Sequence, residues 1–377
     1  MIHGMLNTRR SVRLIAPSIA TGNSWIAEDV ADRRQFRISH ATCAVLALCY
    51  EKRSADYVDS FLEKFGLTAR AVLRTVSELR AVNLLELDSD QTYESGSRED
   101  TVWRIQSLFE GSGAPMSGYY QSICFDYPLA DYSVAGGGFR SDIELMRQYS
   151  EEQPDVDRFT VLTALSDERA LPFPEPSSEL SMESAVDSLS SRLHHRSIET
   201  DSILRVISLS FGVTGVIRLT RREGAPLLLK TSPSGGARHP TEAYVCLRQG
   251  TGRSFTWFHV DACNRRLEFM NSAFSAGETL SSLGVSRLNE ERIEGAIVLT
   301  SKFSRNMYRY REPRTFRTIH MDIGHLLATV ECLAKVEGLE TYLGDPDCHD
   351  RIENLLRLDA TTEGFMASAA FCRIGDT

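Results

Sequence analysis

What this chain lacks narrows it first. Its eight cysteines form no CxxC pair and show no other ligand-like spacing. That argues against a zinc site or a disulfide framework and for free thiols in a reducing compartment. No apolar run reaches the roughly 18–20 residues that a membrane-spanning helix needs. The opening stretch MIHGMLNTRRSVRLIAPSIA carries three arginines but no uninterrupted apolar core before a cleavage site. A secretory signal is therefore not expected, and a cytoplasmic location is. An excess of positive charge is missing too: the formal net charge is -9, which argues against a large nucleic-acid footprint.

What is present is a soluble, core-forming composition, 42% hydrophobic and 25% charged over 377 residues, and at that length two domains are expected. Near the front, ATCAVLALCY reads as an apolar helix. SADYVDSFLEKFGL reads as a second helix, capped by Ser54 and stopped by Gly66, and TARAVLRTVSELRAVNLL as a third, capped by Thr68. LLELDSDQTYE follows as a strand and the tip of a wing, completing a winged helix-turn-helix pattern over about residues 38–100. DNA reading is disfavoured, because residues 51–100 hold seven Lys/Arg against eleven Asp/Glu, the reverse of what phosphate binding asks for. The expected organisation is an N-terminal winged-helix-like domain over 1–108, a partly folded linker region over 109–185, and a mixed domain over 186–377. In the last, EAYVCLR, SFTWFHV, GAIVLTS and EGFMASAAFCR alternate like strands, and MDIGHLLATVECLAKVEG has helical spacing with Gly338 at its end. Together these predict an α+β fold, a sheet with helices packed on it.

Three stretches carry the chemistry. TSPSGGARHP places Gly235 and Gly236 between Ser234 and Ala237, bracketed by Pro233 and Pro240. A backbone without Cβ atoms there permits positive φ and close approach of a flat or anionic ligand. It lacks the Lys-Ser/Thr ending of a nucleotide-binding P-loop and the GxGxxG form of a dinucleotide site. HHRSIET offers His195, Arg196 and Ser197 as donors for a phosphate. KFSRNMYRYREPRTFRTIHMDIGH is arginine-rich, with Tyr308, Tyr310 and Phe316 interleaved, and leads into the long helix.

Arg-Ser after a helix, PSGGARHP before a strand, and YxY followed by DxGH before a long helix resemble the SagB-type dehydrogenases of the nitroreductase superfamily over roughly residues 190–377. The resemblance implies an FMN-binding α+β fold, a homodimer, and oxidation of a ribosomally made peptide, azoline to azole or a related dehydrogenation. By the same resemblance His195, Arg196 and Ser197 hold the FMN phosphate. Pro233, Ser234, Gly235, Gly236 and Ala237 approach the flavin, with Lys230 as a further cation. The family's Lys-Tyr pair aligns with Arg309 and Tyr310, which leaves Tyr310 to handle a proton and Arg309, which keeps its charge, to orient substrate or polarise an oxygen. His325 of DxGH is expected to be a structural residue at the helix start. The front domain is expected to bind the leader of a precursor peptide, and a cyclodehydratase or another modifying enzyme is an expected partner. Two alternatives stay open: an NAD(P)H-dependent nitro or quinone reductase, and a non-catalytic precursor-binding partner of a synthetase. Glu199, where the family carries a basic residue, keeps the second alternative alive. Arg196→Ala should weaken retention of FMN, read as flavin per chain after gel filtration. Unchanged occupancy would remove Arg196 from the phosphate site.

Overall fold

Short runs of β-branched and aromatic residues, punctuated by capped helices, fold the chain into two units in a computed structural model, Met1–Ala130 and Asp131–Thr377. The structure describes residues 5–18, 21–87, 97–126, 137–152, 170–174, 200–217, 227–248, 254–347 and 349–373.

The first unit begins with four strands, β1 (Met5–Thr8), β2 (Val12–Ile15), β3 (Trp25–Asp29) and β4 (Arg34–Ile38). Three helices follow, α1 (His40–Leu48), α2 (Ala55–Glu63) and α3 (Ala69–Ala81), with β5 (Arg53–Ser54) between the first two and β6 (Leu85–Leu87) after the third. Ser39, Ser54 and Thr68 cap them by accepting the amides of Thr42, Tyr57 and Ala71, which satisfies N–H groups that a helix start leaves unpaired. The apolar faces meet in one core containing Leu6, Val45, Leu46, Val58, Leu62, Val72, Val76 and Leu79. β1 lies in the middle of a small antiparallel sheet, β5-β1-β6, while β2, β3 and β4 form a separate meander. The segment before α1, which in sequence reads only as a strand or tail, therefore supplies four strands. Residues 88–96, the expected tip of a wing, lie outside the described residues. Two further helices, α4 (Arg98–Gly111) and α5 (Pro115–Cys124), pack together, so GSGAPMSG is the corner between them rather than a tether.

Asp29 organises the start of this unit. It is fully buried and accepts from Arg9 at 2.8 Å, Ser11 at 2.8 Å, and the amides of Ala31 and Asp32 at 3.1 and 3.2 Å. A buried carboxylate is tolerated only when its lone pairs are matched in this way.

The second unit begins with α6 (Gly137–Glu152), β7 (Leu171–Pro172) and α7 (Thr200–Phe211). A hairpin of β8 (Val213–Ile217) and β9 (Leu227–Lys230) comes next. The main strands are β10 (Thr241–Arg248), β11 (Ser254–Asp261), β12 (Arg266–Ser275) and β13 (Ile293–Lys302), with α8 (Ala276–Ser282) after β12. The chain continues through α9 (Phe303–Met307), α10 (Thr315–Val336), β14 (Leu339–Leu343), α11 (His349–Leu356) and β15 (Glu363–Arg373). The seven-stranded sheet runs β14-β15-β13-β10-β11-β12-β7, antiparallel at every pairing. Alternation along β10 sends Ala243, Val245 and Leu247 to a core shared with α7 and α10, and Tyr244 and Cys246 to a second core shared with α8 and α11. This is the α+β arrangement expected from the sequence, a sheet buried on both faces. The long helix starts at Thr315, earlier than the Met321 start that the sequence suggests, so DxGH lies within the helix rather than opening it. His325 is exposed and is not a helix-start residue.

Asp29→Ala should cost the first unit roughly 1–3 kcal/mol, because it leaves the Ser11 hydroxyl and two amides without their acceptor, while Arg9 keeps Asp32 and Glu99. Urea unfolding followed by the fluorescence of Trp25 and Trp103 measures it, and an unchanged midpoint would show that the carboxylate is not needed.

Candidate functional site

The connection from β9 to β10 is where the second unit is most constrained. Gly236 has φ +60°, Ala237 +52° and His239 +48°, so three of four consecutive residues are left-handed and two of them carry a Cβ. Each such residue costs on the order of 1–2 kcal/mol, and the segment holds this shape only because its surroundings fix it. Asp322, reaching up from α10, accepts Ser234 Oγ at 2.7 Å and the Gly235 amide at 3.2 Å. Ser234 Oγ in turn accepts the His239 amide at 2.9 Å. On the other side Arg305 donates to the His239 carbonyl at 3.2 Å, and Arg238 donates to the Arg305 carbonyl at 2.7 Å while lying over the Tyr308 ring. Both arginines are buried.

The glycines answer a local demand. A Cβ on Gly235 would lie 2.3 Å from Thr318 Cγ2, and one on Gly236 would lie 2.6 Å from the Tyr310 hydroxyl and 3.0 Å from Arg309 Cδ. The structure thus brings Gly235 and Gly236 against Arg309 and Tyr310, far apart in sequence, and the chain's own side chains fill the space on that side. Arg309 lies over the Tyr310 ring, 5.4 Å from its centre, and bonds Asp142 of α6 at 2.6 Å. Burial works against the Arg309 charge, but Asp142 and Tyr310 together outweigh it and raise the pKa.

Lys230, Ser232, Pro233, Ser234, His239, Thr241 and Asp322 line a small cleft with Phe211 and Leu326. Among the described residues Lys230 makes no hydrogen bond or ion pair. Burial lowers its pKa to about 8, with Glu242 opposing and Arg305 adding to the shift. Among the described residues Thr241 Oγ1 is buried without a hydrogen-bond partner. For Asp322, burial raises the carboxyl pKa, and the bonds from Ser234 and Gly235 offset part of that shift. His195, Arg196, Ser197 and Glu199 lie outside the described residues.

Beneath the loop runs a buried charge relay that sequence reading missed. Glu242 pairs with Arg305 and accepts His259 Nε2 at 2.8 Å, while His259 Nδ1 donates to Glu268 at 3.0 Å. An imidazole that serves two carboxylates must carry both protons. Burial pushes the His259 pKa down, but the bonds to Glu242 and Glu268 hold it up at about 9. Burial raises Glu242, yet His259 and Arg305 bring it down to about 2. Glu242 stands two residues after the motif ending in Pro240, and nothing in an alternating strand pattern marks it as ionic. Asp322 lies inside the DxGH motif, where the adjacent histidine draws the attention instead. Among the described residues no group of His, Cys, Asp and Glu could hold a metal ion, and no helix is long and apolar enough to cross a membrane.

No family model matches this chain. Over 144 residues it is 33% identical to the trifolitoxin-processing protein TfxB of Rhizobium leguminosarum bv. trifolii, covering 37% of this chain and 39% of that protein. TfxF of the same organism is 28% identical over 136 residues, 36% of this chain and 44% of that protein. The matches thus span about two fifths of the length of these curated relatives. Among solved structures, one classed as a nitroreductase from Anabaena variabilis overlaps with TM-score 0.40 and 22% identity, over 60% of this chain and 46% of that one. A chain of the E. coli microcin synthetase McbBCD complex overlaps with TM-score 0.38 and 16% identity, over 67% of this chain and all of that one. A Desulfovibrio desulfuricans protein of the nitroreductase class, solved with FMN, overlaps with TM-score 0.32 and 11% identity, over 51% of this chain and 87% of that one. The names of the sequence relatives bear out the expected resemblance to peptide-maturation proteins. The structural overlaps are too loose to add to it.

The histidine relay sets a pH dependence. The folded pKa of His259 lies above its ordinary 6.5, so its contribution is complete below pH 6.5 and is lost as pH rises through about 9. Thermal unfolding of His259→Gln should therefore vary less than wild type between pH 6.5 and 9. An identical pH profile would show that the imidazolium is not the group concerned.

Proposed function

We propose that this protein is an FMN-dependent dehydrogenase that acts on a ribosomally made peptide during its maturation. The observation that carries the reading is the strained Ser234–His239 loop, pinned by Asp322 and closed against Arg309 and Tyr310, in a chain similar to trifolitoxin-processing proteins. The donor set fits a flat, partly anionic cofactor. Lys230 brings a cation to the cleft, Thr241 Oγ1 a hydroxyl without a hydrogen-bond partner among the described residues, and Pro233 and Ser234 form the rim. Lys230, Ser234 and the amides of the loop would hold the ligand, with His195, Arg196 and Ser197 for the phosphate.

FMN, when bound, supplies the two-electron redox chemistry. The protein's own residues do the rest. Asp322 and Arg305 hold the loop in its left-handed shape before any ligand arrives, so binding does not have to order it. Lys230 meets developing negative charge without first breaking an ion pair. The Tyr310 hydroxyl, lodged against Gly236 and beside the Arg309 guanidinium, relays the proton the substrate loses, accepting it as its own passes to water. Arg309 keeps its charge throughout and orients the peptide or polarises an oxygen. The first unit, with its three consecutive helices α1 to α3, serves as the leader-binding element, the peptide adding a strand to the sheet beside the third helix. A second copy of the chain and a cyclodehydratase or a similar enzyme complete the assembly in a reducing, cytoplasmic setting.

The absorbance spectrum of the purified protein, with the released cofactor weighed by mass spectrometry, tests this. FMN near one per chain is expected. Colourless protein that refuses added FMN would overturn the reading in favour of a non-catalytic precursor-binding partner, and rapid bleaching of the flavin by NADPH would favour a nitro or quinone reductase. Tyr310→Phe should keep the flavin and lower turnover about 100-fold or more. Full turnover would remove Tyr310 from the chemistry.

A further inference from the structure

The stretch between the two patterned regions of the sequence contributes α6, and α6 is fastened onto the candidate site at both ends. Near its start Asp142 bonds Arg309 at 2.6 Å, each side chain keeping only about a quarter or less of its surface. At its end Glu152 bonds Arg311 at 2.6 Å, and the Arg311 guanidinium lies 3.7 Å from the centre of the Tyr149 ring. The two arginines flank Tyr310, so the helix spans the tyrosine proposed to handle the proton. Arg309 Nε is buried beside Gly236 and meets no acceptor among the described residues, so the Nη2 edge that now faces Asp142 is the one offered to an incoming carboxylate.

From this arrangement we infer that Arg309 is a receptor for a carboxylate on the substrate peptide, and that Asp142 holds that place until the peptide arrives. The inference rests on the peptide-dehydrogenase reading and names the kind of peptide: one with an aspartate or glutamate near the residue to be oxidised. A guanidinium suits the role because it stays charged and offers a planar fork of donors to a carboxylate. The exchange is nearly balanced, one carboxylate replacing another, so Asp142 shields a buried cation without barring an acidic ligand. A neutral peptide would have to break the Asp142–Arg309 pair without replacing it, which disfavours it. Acidic peptides are thereby selected at the step that uncovers Tyr310.

Modification of arginine by phenylglyoxal, located by peptide mass spectrometry, tests this on the whole protein without any turnover. The probe is the acetylated, amidated peptide Gly-Glu-Gly, with Gly-Gln-Gly as the uncharged control. In Asp142→Asn, Arg309 should react about tenfold faster than in wild type, the loss of a partly buried ion pair. Gly-Glu-Gly should restore protection and Gly-Gln-Gly should not, wild type should need about tenfold more Gly-Glu-Gly for the same effect, and Asp142→Glu should behave as wild type. If Asp142→Asn is poorly folded, Glu152→Gln loosens the far end of the helix instead and should give a smaller rise with the same peptide selectivity. Reactivity unchanged in both variants, or equal protection by the two peptides, overturns the inference. Flavin content measured on the same samples separates the two readings. Colourless protein still protected by Gly-Glu-Gly would sink the cofactor and leave the receptor, and yellow protein without protection would do the reverse.

Discussion

The bond from Ser234 and Gly235 to the Asp322 carboxylate is the contact on which the rest of the site depends. Two non-glycine residues in left-handed backbone cost on the order of 2–4 kcal/mol together. Hydrogen bonds to a charged group return about 1.5–3 kcal/mol each, and the loop has two to Asp322 with a third from Arg305 to the His239 carbonyl. These numbers are of one size. The loop is therefore neither relaxed nor spring-loaded: it is held by bonds that offset its strain.

Those anchors stand on the sheet. Glu242 belongs to β10, the strand the loop feeds, and through Arg305 it ties α9 to the loop's far end. His259 on β11, held in turn by Glu268 on β12, joins Arg305 in keeping Glu242 charged. Removing one member leaves a buried charge without its partner, which costs more than the pair gains. Three adjacent strands are in this way committed to the geometry of one short connection. Lys230 stands apart from the relay, close enough to Glu242 to feel its charge but without an ion pair among the described residues, and burial lowers its pKa.

Much of the fold was legible because local chemistry and tertiary structure agree. The caps at Ser54 and Thr68, the 3.6-residue periodicity of α3 and α10, and the alternation of β10, β11 and β13 all mark elements that burial then uses. The small strands β1 to β4 were not legible. Four or five residues with mixed burial carry too little pattern, and their pairing is fixed by partners such as Leu87 opposite Leu6 and Phe36 opposite Ala27. The start of α10 was misplaced for a related reason: its first turn, Thr315 to Thr318, is polar and looks like the loop before it.

By itself the sequence determined the composition of the site: two glycines with a serine and a proline, an arginine-tyrosine pair, and a lysine at the end of a strand. Each is local chemistry, set by which side chains the chain carries and how closely they are spaced. Only the tertiary structure decided that the glycines face Tyr310 and Thr318, that Asp322 rather than His325 serves the loop, and that Asp142, more than 160 residues from Arg309, completes the pair. Spacing along a chain reports which residues share a helix or strand face. It says nothing of charges that meet only because a sheet and two helices have packed, and here those meetings fix both the loop's shape and the setting of Arg309.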